Sequence, residues 1–273
     1  MGVEARRGFE GRTRHQGGVR PLLRCALAMC AAVALVAGCK GGAGDAGRST
    51  GSGTPAPAPV SDGHAVSPLK NPDGTRPGLA PLTSEADKAA ARRLIGSLST
   101  KGRGPKTGYS RERFGYAWMD TADGVPWARN GCDTRNDLLK RDGQDVRFRK
   151  GSNCVVVAMT LSDPYTGHTI RWVKSHATTV QIDHVMPLSY DWQMGAAHWT
   201  KDKREQIAND PLNLIPADGP ANSAKGDSGP ATWLPPSKGV RCAYSVRFAQ
   251  VSVKYGLPVT SADKQMMLRQ CGG

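Results

Sequence analysis

Several things are scarce in this chain, and each scarcity closes off a class of protein. The apolar run near the start, Cys25 to Ala37, holds about 13 residues, short of the roughly 18 to 20 that cross a bilayer, so a permanent transmembrane helix is disfavoured. Downstream of residue 39 the four cysteines never stand in a C-x-x-C spacing, which argues against a structural zinc site. Between Lys40 and about Pro81 hardly an aliphatic cluster occurs and Gly, Ala, Ser, Thr and Pro dominate. Such a stretch buries too little apolar surface to offset the entropy of ordering. No internal repeat is visible beyond the short Pro-Ala alternation that ends at Pro59. Acidic side chains are outnumbered, 23 against 37 Lys and Arg, for a formal charge of +14.

What is present begins with a leader. Arg6, Arg7, Arg12, Arg14, Arg20 and Arg24 precede the apolar run, which leads into Val36-Ala37-Gly38-Cys39. This is the layout of a secretory signal peptide, and Val-Ala-Gly-Cys resembles a bacterial lipobox. That resemblance implies cleavage before Cys39, lipidation of its thiol, and tethering to the outer face of the cytoplasmic membrane, or secretion if the thiol stays bare. Residues 1–38 read as signal peptide, 39–82 as a disordered linker and 83–273 as the globular domain. Six Arg and two Glu leave with the leader, so +14 becomes +10. A basic exported protein suits a polyanionic partner.

Export also gives the cysteines a meaning. Cys132, Cys154, Cys242 and Cys271 in an oxidising compartment suggest two disulfides. Of the three possible connectivities, Cys132–Cys154 with Cys242–Cys271 closes the shortest loops, and short loops close most readily.

Patterning predicts a helix from Thr83 or Ser84 to about Leu98, a short strand over Phe114 to Trp118, and a helix over Asp133 to Arg141 capped by Asp133. Asn153 to Leu161 and His168 to Val173 flank the turn cluster Asp163-Pro-Tyr-Thr-Gly167 and read as a hairpin. Val180 to Val185 is another β run, expected to end or bend so that Asp183 and His184 serve one site. A helix from Thr200 to about Asn209, an extended Leu212 to Ile215 and a helical turn from Pro220 to Lys225 follow. Cys242 to Tyr255 and Ser261 to Gln270 have helical spacing around the break Gly256-Leu-Pro258.

The chemistry concentrates in Asp183-His184, Asn213 and Asn222-Ser-Ala-Lys225-Gly-Asp227. A His beside a carboxylate can activate a water while its neighbour holds a divalent cation. Arg135 offers a guanidinium to phosphate, with a salt bridge to Asp133 or Asp137 as its structural alternative. Trp192, Trp199 and Trp233 read as core residues before base-stacking ones.

These motifs resemble the HNH nucleases, which use a ββα-metal (His-Me finger) site. Within that family the resemblance is to the HNH domain of the GmrSD restriction enzymes, and in particular to exported actinobacterial proteins carrying it. The specific motif covers residues 182–236 within a core of 180–236. The wider pattern, including Gly131-Cys-Asp-Thr-Arg135, runs roughly from 109 to 271. The resemblance implies an α+β fold, a ββα-metal core with a β-hairpin and flanking helices, braced by the two disulfides where many relatives use zinc knuckles. It implies His184 as general base and Asp183 and Asn222 as ligands of one Mg²⁺ or Mn²⁺ ion. Asn213 joins the catalytic set by holding the loop and orienting His184, and Lys225 is a phosphate contact. The expected partner is nucleic acid, DNA before RNA, with the membrane reached only through Cys39 and no protein partner evident. The alternative is a non-catalytic basic lipoprotein that binds nucleic acid or anionic cell-wall polymer.

Overall fold

The computed structural model describes residues 61–273. The expected signal peptide, Cys39 and the expected linker up to residue 60 lie outside them. The elements run α1 (Glu85–Gly96), α2 (Thr134–Asp142), β1 (Gly143–Phe148), β2 (Val156–Ser162), β3 (Thr169–Val173) and β4 (Val180–His184). They continue with α3 (Leu188–Met194), α4 (Lys201–Asn209), β5 (Leu214–Asp218), α5 (Gly219–Lys225), α6 (Arg241–Tyr255) and α7 (Ser261–Gln270). The fold is α+β with two disulfides, Cys132–Cys154 and Cys242–Cys271.

The helices begin where their caps stand. Ser84, Asp133, Thr200 and Thr260 each accept a hydrogen bond from the backbone N–H three residues on, satisfying a donor the helix itself leaves orphaned. α6 ends at Gly256 in the left-handed region, the usual glycine stop. Cys242 at the start of α6 and Cys271 just past α7 are joined, so the pair packs antiparallel.

Two sheets form. In the first, β1, β2 and β3 pair antiparallel in that order, β2 and β3 being the expected hairpin. β1 escapes sequence patterning: Asp145 has φ 51° and the register shifts twice along the strand, so no clean alternation marks it. In the second, β4 pairs antiparallel with β5, His184 opposite Leu214 and Asp183 opposite Ile215. Pro216 is tolerated in β5 because a two-stranded sheet has free edges. α5 follows β5 at once, with Asp218 as its cap.

Two expectations need correcting. Phe114 to Trp118 is not a strand: a 3-10 turn spans Arg111–Phe114, then Gly115 at φ 85° and Trp118 at φ 61° break extension. The linker assignment also fails from residue 61 on, where Leu79 and Leu82 are buried in the larger hydrophobic core. That segment is held by backbone groups. The buried Arg141 guanidinium donates to the carbonyls of Gly74, Pro211 and Leu214 and to Asp142, and the Gly78 N–H donates to Asp142.

α1, α3, α6 and α7 enclose the larger core, and α2 with the first sheet and Val180, Ile182 and Leu214 the smaller one. The β4–β5 pair lies where the two cores meet.

Candidate active site

β4 alternates its side chains, so Gln181 and Asp183 share a face. The strand ends at His184, and that ending lets the next residue turn into the same space. A cavity of about 630 Å³ receives Gln181, Asp183 and His184 from β4, Asn222 from α5, and Arg135 from α2. Lys106, Arg111 and Trp118 come to it from the loop before α2. Among the expected site residues, Asp183, His184, Asn222 and Arg135 meet there.

His184 is nearly buried, and its Nε2 lies 3.0 Å from the carbonyl oxygen of Ala208 at the end of α4. A carbonyl only accepts, so Nε2 carries the proton and donates. Nδ1 is then the unprotonated nitrogen, and it has no partner among the described residues. Burial, with Arg111 and Lys225 adding their positive charge, pushes the imidazole pKa down to about 3 against the pull of the Ala208 carbonyl. The ring is a neutral base at any ordinary pH.

Asn213 is fully buried and works as a staple. Its Oδ1 accepts from the Met186 N–H at 2.8 Å, and its Nδ2 donates to the carbonyls of Met186 and Ile207. The Val185 N–H donates to its backbone carbonyl. One side chain thus fixes the exit from β4 and the peptide next to the Ala208 carbonyl that orients His184.

Asp183 is held from behind. Lys225 Nζ sits 2.9 Å from each carboxylate oxygen, and the Tyr165 hydroxyl donates to Oδ2 at 2.5 Å. Burial raises the Asp183 pKa, with Lys225 and Tyr165 opposing the rise. The same burial lowers that of Lys225, opposed by Asp183. Lys225 is 1% exposed and also donates to the His184 carbonyl. Its ammonium is spent inside the protein, which corrects its expected role as a phosphate contact. Asp227 in turn binds Lys106 and Ser189.

Asn222 donates from Nδ2 to Gln181 Oε1 at 2.8 Å, leaving Oδ1 without a partner among the described residues. Arg135 donates to the Val180 carbonyl at 3.1 Å and lies over the Trp172 ring, and burial lowers its pKa. It lines the cavity while anchored. Trp192 is buried in the larger core and Trp199 and Trp233 pack against it, as core residues do.

Sequence reasoning did not single out Tyr165, Gln181, Arg111, Lys106 or Trp118. Gln181 was within reach, two residues before Asp183 and hence on its face. Tyr165 stood inside a turn already noted, but nothing local announces that its hydroxyl ends on a carboxylate 18 positions away.

Residues 133–270 match the family described as GmrSD restriction endonucleases, C-terminal domain. A protein of Arthroderma benhamiae called an uncharacterized secreted protein is 39% identical over 188 residues, covering 67% of this chain and 85% of the relative. No solved structure matches. The family match takes in β4, β5, α5 and Arg135, Asp183, His184, Asn213, Asn222 and Lys225, and by it the chain belongs to the C-terminal domain family of the GmrSD restriction endonucleases, a nuclease family.

Proposed function

We propose that the chain is an HNH endonuclease that hydrolyses phosphodiester bonds of DNA outside the cell, with β4, β5 and α5 as its ββα-metal core. One observation carries this reading: the Ala208 carbonyl fixes the His184 tautomer, so that a free Nδ1 belongs to a side chain lining a cavity walled by Arg111 and Arg135. His184 accepts a proton from a water attacking the phosphorus, and Arg111 and Arg135 attract the phosphate.

The donor set suits a divalent hard cation. Asp183 Oδ1 is engaged by Lys225 alone and keeps a lone pair, and Asn222 Oδ1 is a second oxygen on the same cavity. Among the described residues no three His, Cys, Asp or Glu side chains cluster as a closed cage. Two oxygens completed by water and substrate phosphate are what Mg²⁺ or Mn²⁺ accepts. Asp183 and Asn222 would hold the ion, which when bound neutralises charge on the phosphate and leaving oxygen. Gln181 keeps the Asn222 oxygen turned outward, and Lys225 with Tyr165 holds the Asp183 carboxylate in place.

Export and lipid anchoring at Cys39 belong to the same proposal. The leader pattern supports both, and the name of the fungal relative, a secreted protein, supports export alone.

The test is cleavage of plasmid DNA and of RNA with and without Mg²⁺ or Mn²⁺, beside His184→Ala. Metal-dependent DNA cleavage that drops about 10²- to 10⁴-fold in the variant is expected. Binding without cleavage in any metal would instead leave the basic adsorptive protein.

A further inference from the structure

A second cavity, of about 250 Å³, adjoins the first and shares His184, Arg111, Trp118 and Leu188 with it. Its character differs. Where the first is lined by charged and amide groups, this one is walled by Phe114, Tyr116, Trp118 and Leu188. Its volume falls just below the roughly 300 Å³ at which small-molecule sites begin, so it suits one ring system.

Two further observations mark the cavity for a ligand. Tyr116 is 64% exposed, the most exposed large hydrophobic side chain among the described residues. Trp118 sits at φ 61°, in the left-handed region that side-chain-bearing residues rarely adopt, and its indole stacks on the His184 imidazole at 13° between planes with centroids 6.1 Å apart. A bulky residue kept in that conformation points to function when it lies at a site. Gly115, at φ 85° and pressed against Met119 and Glu205, sets the turn that presents both rings.

Resting on the nuclease reading, we infer that this cavity takes a single unpaired nucleobase next to the scissile phosphate, making single-stranded or locally opened DNA the preferred substrate. The phosphate lies by Arg111, which borders both cavities, and the adjoining base enters between Tyr116 and Trp118. Aromatic rings stack any base through its π face. A base inside a duplex cannot reach the cavity without leaving its own stack. The position beside His184 ties base capture to phosphate placement, since one wall serves both.

The experiment measures binding of fluorescein-labelled 12-mers by anisotropy in EDTA, with the disulfide-bonded chain and its Tyr116→Ala variant. Single-stranded DNA, the same sequence as duplex, and single-stranded RNA are the three arms. Because Tyr116 is largely in solvent, its substitution should leave the melting temperature unchanged. Expected is tighter binding of the single strand than of the duplex, and a loss of about 5- to 100-fold for the single strand in Tyr116→Ala with duplex binding unmoved. An abasic site walked along the strand should reproduce that loss at one position in the wild type and add nothing in the variant. RNA binding like single-stranded DNA, with the same sensitivity to Tyr116→Ala, supports the cavity as a base site and widens the substrate to single-stranded RNA. Equal single-strand affinity of the two proteins, or abasic positions that are all alike, overturns the inference. Metal-dependent cleavage with no Tyr116 effect removes the base site and leaves the nuclease. A Tyr116 effect with no cleavage in any metal does the reverse.

Discussion

Asp191, in α3, is 0% exposed, and neither of its carboxylate oxygens has a hydrogen-bond partner among the described residues. Burial lifts its pKa well above the ordinary 3.8, with the charge of Lys225 only partly opposing. The folded state therefore keeps a proton that the unfolded chain releases. The resulting stability is full below the unfolded pKa and is lost as pH rises from there through the folded value. Asp191→Asn preserves the shape and removes the titration. The variant, free of that proton release, should melt above wild type at pH 8 and alongside it near pH 4. Parallel melting profiles across that range would sink the idea. Lys225 makes the opposite case, since its removal strands Asp183 in the interior. Lys225→Met should cost about 3 to 5 kcal/mol of stability, the toll of breaking a buried ion pair. A variant that melts like wild type and shows only a raised KM would restore the phosphate role.

At the level of elements, legibility followed how local each signal is. The caps at Ser84, Asp133 and Thr200 and the hairpin around Asp163-Pro-Tyr-Thr-Gly167 are statements about neighbouring residues, and patterning found them. The order β4, excursion, β5, α5 was readable for the same reason. β1 was not, because its Asp145 turns left-handed and its register slips. The segment 61–82 was not, because it is fastened through the Gly74 carbonyl and the Gly78 N–H to the side chains of Arg141 and Asp142, 67 and 64 positions away, and composition is blind to such bonds. At the candidate site, Asp183, His184 and Asn222 were readable as a motif, whereas Tyr165 and the loop that brings Arg111, Tyr116 and Trp118 depend on tertiary placement. Arg141 offers the element-scale test, since its guanidinium joins that segment to the approach to β5. Arg141→Ala leaves Asp142 buried beside orphaned carbonyls, a loss of about 3 to 5 kcal/mol. Limited proteolysis should then cut between residues 61 and 82 in the variant and spare the wild type. Equal resistance of the two proteins would show that other contacts hold the segment.

At the scale of the whole molecule, the two disulfides tie down elements that carry the candidate site. Cys132–Cys154 ties the residue before the α2 cap to the approach to β2, one helical turn from Arg135. Cys242–Cys271 locks α6 to α7, and α6 carries Tyr244, whose hydroxyl donates to the Val185 carbonyl beside His184. Both bridges shorten the unfolded chain's freedom. Sequence separations of 22 and 29 correspond to about 3.5 kcal/mol each on the loop-entropy account. In a domain of this size that is roughly 7 to 14 °C of melting temperature per bridge. The bridges thus tie down the elements that carry the cavity walls. Full reduction opens both bridges and should therefore lower the melting temperature by roughly 14 to 28 °C and abolish plasmid cleavage at 37 °C. A zinc-selective chelator, with Mg²⁺ present, should change neither. The paired measurement is a melting curve and a cleavage assay on the same reduced and chelated samples. Wild-type cleavage after complete reduction, checked by counting four free thiols in the mature domain, would show that packing alone holds the site and that the bridges are dispensable.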